Sequence, residues 1–255
     1  MKPDVFADLD HLFMLNFSVS AEELSTLVPS PLQLLTRHGR GFPSIVLPRI
    51  RNLRPARLGV PRVHYELYGL RILVEFESVR LGRTKGIWFQ RLIMDPNLLR
   101  WIANAVTPFQ FERGCVTKRR DDSGWTSIVA EFTRGEPAVH AEVCPSSHYP
   151  DTLTDRSCFS TADEALAMYN DIAFGFLVDP AQCVHILQIA EPHPNYVAWP
   201  LRHLQVRPES VRVPRELTGM QVQLEPSYYV GSLPRYWRWL PSERFATRRC
   251  TCQPG

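Results

Sequence analysis

Apolar residues along this chain fall mostly into short runs of strand length, and only a few stretches carry helical signals. The run "LFMLNFSV" (12–19) has strand composition and leads into "SAEELSTLV", where Ser20 and Glu23 have the spacing of a capping box. Pro29 and Pro31 of "PSP" close that short helix. "LQLLT" and "FPSIVLPRI" flank the turn "RHGRG" as a hairpin, "VHYELYGLRILVEFESV" supplies one or two strands, and "GIWFQRLIM" supplies another. A second helix is predicted over 96–106, with Asp95 as N-cap and Pro96 at the first helical position. Its Leu99, Ile102 and Val106 share one face and are expected to be buried. "GCVTKRR" and "WTSIVAEFT" form a second hairpin around "DDSG". A third helix is expected near 162–170 behind a Thr161–Glu164 capping box, and further strands near 183–190 and 220–230. No repeat, low-complexity tract or clear linker divides the chain. The pattern predicts one β-rich α+β domain over 1–240 and a basic tail over 241–255.

Composition narrows the function classes. Charged residues make up 22% and apolar ones 44%, as in ordinary globular proteins, and the formal net charge of +3 is too small to argue for nucleic acid as the main partner. Arginine does stand beside aromatics in "LPRYWRWLPSERFATRR", and "PRIRNLRPARLGVPR" is arginine-rich. The prolines make both segments read as loops, and a basic domain signature is missing. No apolar run reaches the 18 or so residues of a membrane helix. Asp4, Asp8 and Asp10 stand where an export signal would carry basic residues, which points to a cytoplasmic protein with reduced thiols. The six cysteines and eight histidines show no zinc spacing, so neither a metal nor another cofactor is expected.

Several segments carry a resemblance. "LFMLNFSVSAEELSTLVPSPLQL" and "KGIWFQRLIMDPNLLRWIANAVTPFQFERG" resemble successive segments of the acetoacetate decarboxylase-like superfamily. "HPNYVAWPLRHLQV" and "PSYYVGSLPRYWRW" are similar to its YqjF-like branch, and the likeness runs from about Asp10 to Arg238. It implies a cone-shaped, mostly antiparallel β-barrel or double sheet, with a few outer helices and a small ligand pocket inside. It also implies a small-molecule ligand and allows a homo-oligomer joined through sheet edges.

The resemblance bears directly on lysine chemistry. Only three of the 29 basic residues are lysines: Lys2, Lys85 and Lys118. Superfamily decarboxylases carry two adjacent lysines, one of which forms a Schiff base. Counted without gaps from Lys85–Gly86, those positions fall on Phe111 and Glu112. Phenylalanine cannot form an imine, and glutamate cannot replace the neighbouring cation that lowers the amine pKa. Lys85 is expected on a turn and Lys118 at a hairpin end, both in water. Schiff-base decarboxylation is therefore not expected.

What the resemblance leaves is a set of candidate site residues. Glu66 of "HYEL" matches a central-strand glutamate of the family, and Arg71 stands five residues on, as in the branch's E-L-x-x-R pattern. Glu66 and Glu112 are the candidate catalytic carboxylates, and Arg71, Trp88, Phe111 and His193 the candidate substrate-binding residues. Two carboxylates and an arginine in an apolar cavity suit proton transfer beside a carbonyl. One reading is thus a metal-independent lyase or isomerase acting on a small keto acid or enolisable compound. The other is a binding barrel without chemistry. Whether Glu66 and Glu112 converge in one cavity discriminates between them.

Overall fold

A computed structural model of the chain describes residues 4–55, 63–133, 135–146, 157–170, 172–190 and 202–244. The strands outrun the apolar segments that announce them. In chain order the elements are β1 (Val5–Ser20), α1 (Ala21–Ser25), the two-residue strands β2 (Gln33–Leu34), β3 (Thr36–Arg37) and β4 (Arg40–Gly41), and then β5 (Pro43–Pro55), β6 (Val63–Ser78) and β7 (Gly82–Met94). There follow α2 (Asn97–Val106), β8 (Phe111–Glu112), β9 (Gly114–Arg120), β10 (Thr126–Phe132) and β11 (Pro137–Ser146). The last are α3 (Ala162–Asn170), β12 (Phe174–Val178), β13 (Cys183–Ala190), β14 (Arg202–Val206), β15 (Gln223–Trp239) and β16 (Glu243–Arg244).

Strand pairing runs β1–β5–β6–β7–β12–β13–β15 and then returns to β1, so seven strands form a closed circuit. All of these pairings are antiparallel except β7–β12. That parallel seam depends on glycine at two points. A Cβ on Gly86 would lie 2.5 Å from the Phe176 ring and 2.6 Å from the Phe174 carbonyl oxygen, and one on Gly175 would lie 2.7 Å from the Phe89 ring. From β15 the sheet continues through β14, β11, β10 and β9.

Alternation sends successive side chains to opposite faces of this wall. Phe13, Leu15 and Phe17 of β1 and Tyr68, Leu70 and Ile72 of β6 form one core with Val116, Ile128 and Val139 of the sheet extension. Their neighbours Leu12, Met14 and Leu73 form a second core with Tyr169 of α3 and Val230 of β15. A third, smaller cluster of Leu92, Met94 and Phe111 meets Leu99 and Ala103 of α2.

Several local expectations hold and several change. The 114–132 hairpin forms, its turn held by the Asp121 carboxylate, which accepts from the Ser123 hydroxyl and the Trp125 amide. The α3 cap also forms: Thr161 Oγ1 accepts from the Glu164 amide at 3.1 Å, and Glu164 accepts from the Ser160 amide. By contrast, Ser20 makes no side-chain cap to α1. The "RHGRG" hairpin shrinks to β3 and β4, turning through His38 and Gly39 at φ 49° and 72°. The flanking "LQLL" and "FPSIVLPRI" segments pair with β6 instead, because the long strand offers more partners than the short turn does. The two arginine-rich segments are strands over most of their described length, not loops. Helix α2 starts at Asn97 with Pro96 in the cap position. Its predicted buried face is largely uncovered: Ile102 is 42% and Val106 50% exposed, as are Leu98 and Trp101 on the same helix. Leu99 and Ala103 turn inward, to the Leu92–Met94–Phe111 cluster and the cavity, while Leu98, Trp101, Ile102 and Val106 stay exposed.

Candidate functional site

The closed circuit encloses a cavity of about 380 Å³. Its walls come from β1, β5, β6, β7, β13 and β15. Tyr169 reaches it from α3, and Leu99 and Ala103 from α2. The lining is aliphatic and aromatic apart from a few groups, of which Arg71 and Arg235 are the charged ones.

Arg71 sits on the inward face of β6, opposite Ser44 of β5 and Phe89 of β7. It is 9% exposed. Its Nε donates to Ser44 Oγ at 2.7 Å and one terminal nitrogen, Nη2, contacts Met14 Sδ at 2.9 Å. Among the described residues no carboxylate lies within ion-pair distance. Burial pushes its pKa down to about 10, with the Arg235 charge adding to the effect and Tyr169 opposing it. The guanidinium therefore stays charged at neutral pH in an apolar chamber, and its remaining nitrogen, Nη1, has no hydrogen-bond partner among the described residues. Such a cation is costly unless an anion joins it. Two phenols share the lining. Tyr169 donates to the Phe17 carbonyl at 3.1 Å, and burial raises its pKa. Tyr65 is also raised by burial, and its hydroxyl makes no hydrogen bond among the described residues.

Phe111 lines the cavity. Asn104 of α2 fixes it there, its amide accepting from the Phe111 N–H at 2.9 Å and donating to the Phe111 carbonyl at 3.0 Å. The next residue, Glu112, faces the other way. Its carboxylate is held by Arg91, with Nε and Nη2 at 2.6 and 2.8 Å, and its side chain is 43% exposed. Arg91 also pairs with Glu136 and Glu216 and stacks over the Phe132 ring.

Glu66 is likewise outside the cavity. It lies on the Tyr68 face of β6, where Arg49 Nε and Lys118 Nζ each bind it at 2.7 Å. Residues five apart on a strand point to opposite faces, so Glu66 and Arg71 cannot act on one ligand. The two candidate carboxylates therefore do not meet in the cavity. Trp88 packs against the outer core rather than the lumen. His193 lies outside the described residues. Lys85 is exposed as expected, but within β7 opposite Glu75 rather than on a turn. Lys118 is not in water. It donates to the Leu47 carbonyl and to Glu66, and burial lowers its pKa while Glu66 raises it.

Arg235, Tyr65, Tyr169, Trp237 and Trp239 were not singled out from the sequence as site residues. The signal for part of this set was present: Leu233, Arg235, Trp237 and Trp239 alternate along β15 and all line the cavity. The arginines of the "PRIRN" stretch that are described have local partners. Arg49 meets Glu66, Arg51 meets Asp10 at 2.9 Å, and Arg54 covers the Phe6 ring. One group of potential metal-ligand atoms converges among the described residues, in Asp179, Cys183 and His185 at the β12–β13 turn. None of the three lines the cavity, and the Asp179 carboxylate already accepts from the Cys183 amide and contacts His185. No helix of the described residues is long and apolar enough to cross a membrane.

Comparison with solved structures places the fold. The chain is similar to the enduracididine biosynthesis enzyme MppR complexed with pyruvate, at 13% identity and TM-score 0.58, over 93% of this chain and 90% of that one. It is also similar to an acetoacetate decarboxylase from Legionella pneumophila, at 10% identity and TM-score 0.57, over 94% and 88% of the two chains. An acetoacetate decarboxylase-like enzyme from Sphingomonas wittichii RW1 aligns at 11% identity and TM-score 0.55, over 96% and 94%. No curated protein matches the chain. Residues 7–172 match the family DUF2071, described as an uncharacterized conserved protein (COG2071). The chain thus belongs to the DUF2071 family, the YqjF-like branch of the acetoacetate decarboxylase-like fold.

Proposed function

We propose that the protein takes a small organic acid into the cavity and holds its carboxylate on Arg71. The observation that carries this reading is the buried guanidinium: it faces an apolar lumen, keeps its charge and has no carboxylate partner among the described residues. A bidentate carboxylate would supply the missing counter-charge. The fold supports a small-molecule role of the kind its enzyme neighbours have. A small keto acid is the first class to test, because pyruvate is the ligand of the MppR complex.

Acid–base chemistry by Glu66 and Glu112 loses its support, since both carboxylates stand outside the lumen in ion pairs. Binding without chemistry is the reading that asks least of the residues present. A catalytic reading is favoured by one observation, the enzymatic character of the fold neighbours. It would rely on Arg71 to stabilise an enolate and on the lining phenols to move a proton.

Calorimetric titration of pyruvate, acetoacetate and longer acids into wild type and Arg71→Met tests the binding. Affinity for any acid that binds should fall at least tenfold in the variant. Equal affinity in both proteins for every acid overturns the proposal. Deuterium exchange into the methyl group of pyruvate, sensitive to Arg71→Met, would establish the catalytic reading.

A further inference from the structure

The lumen is much larger and longer than a keto acid requires. At the ~30 Å³ that one water molecule occupies in the liquid, 380 Å³ holds about a dozen non-hydrogen atoms, twice the six of pyruvate. The space is also drawn out. On β6 the lining runs from Arg71 to Leu67, which packs with the α2 cluster, four steps or roughly 13 Å of strand at ~3.3 Å per residue. Arg71, Met14 and Tyr169 of α3 line one end, and Leu99, Ala103 and Phe111 line the other beneath α2. Between them the wall is mostly apolar, with Leu12, Val46, Ile50, Ile87, Leu187 and Ile189, and Arg235 is its second charged residue. A buried cation at one end of a mostly apolar cavity matches a ligand with one charged end and a flexible hydrocarbon body.

From this shape we infer that the ligand is a medium-chain aliphatic carboxylate of roughly 8–12 carbons, its head at Arg71 and its tail extended toward α2. The inference rests on Arg71 as the anion anchor and adds the class of body that the anchor serves. It involves no covalent step. A short keto acid would leave most of the aliphatic wall facing empty or watered space, whereas each buried methylene adds to affinity.

Titration of straight-chain acids from acetate to tetradecanoate, with pyruvate and decanol alongside, tests the inference in the intact protein. Affinity should rise roughly fourfold per added CH₂ and level off near 10–12 carbons, where the slot is full. Decanoate should bind at least tenfold more tightly than decanol and should lose that advantage in Arg71→Met. Ala103→Trp, which fills the α2 end, should cut the ratio of decanoate to butyrate affinity at least tenfold. A flat length dependence, or pyruvate binding as tightly as decanoate, overturns the acyl inference. In that case continued sensitivity to Arg71→Met keeps the anchor. If no acid responds to Arg71→Met, both fall. Should that variant fail to fold, equal wild-type affinity for decanol and decanoate overturns the anchor instead.

Discussion

Replacing Arg71 by methionine is expected to stabilise the unliganded protein, the reverse of the usual result for a buried residue. A base whose pKa falls on folding destabilises the native state while it is protonated. The drop from the ordinary arginine value to about 10 corresponds to roughly 3 kcal/mol. The sign follows from the depressed pKa: the cost is fully present below pH 10 and fades as pH rises above 10. Losing the hydrogen bond to Ser44 Oγ takes back about 1 kcal/mol. Methionine fills apolar volume of similar length. A net gain of ~2 kcal/mol remains, and with a slope near 3 kcal/mol/M it should raise the urea midpoint by ~0.7 M at pH 7. The assay is equilibrium unfolding of both proteins with and without a saturating acid ligand. Ligand should stabilise wild type and leave the variant unmoved, since linkage acts only through binding to the native state. A loss of 3–5 kcal/mol in the variant would refute the reasoning, because that is the signature of breaking an existing buried ion pair.

Exchange of Glu66 for glutamine should cost ~1–2 kcal/mol, by leaving half-buried Lys118 without its carboxylate, and should not alter acid binding. Lost binding with unchanged stability would put Glu66 in the site. Borohydride reduction in the presence of acetoacetate should add no mass, since Lys85 is solvated, Lys118 is engaged by Glu66 and Leu47, and Phe111 has no amine. An adduct mapped by peptide mass spectrometry to either lysine would restore the decarboxylase reading. Gly86→Ala should destabilise by more than ~2 kcal/mol, because the new methyl meets the Phe174 carbonyl at the seam that closes the circuit. Thermal melting at wild-type level would show that the β7–β12 seam can open without cost.

Sequence by itself determined the class of fold, because strand-forming runs, turn residues and the α3 cap are local signals. Strand-forming composition places "LFMLNFSV" and "VHYELYGLRILVEFESV" in strands wherever their partners lie. The absence of a lysine at Phe111 and Glu112 was equally legible, since it needs only residue identity and spacing. Which face each candidate presents was less open to that reading. Alternation separates Glu66 from Arg71, and Phe111 from Glu112, but it does not say which face becomes the lumen. That depends on the β1–β15 pairing, between residues more than two hundred positions apart, which closes the circuit and turns one set of faces inward. The same closure makes Arg71 a buried cation and leaves Glu66 and Glu112 paired to arginine and lysine outside. It likewise decides the α2 surface, where Leu99 and Ala103 turn to the cavity and the remaining large apolar residues stay exposed. Charge and hydrophobicity are local properties, whereas the environment that gives them chemical meaning is made by contacts between distant segments.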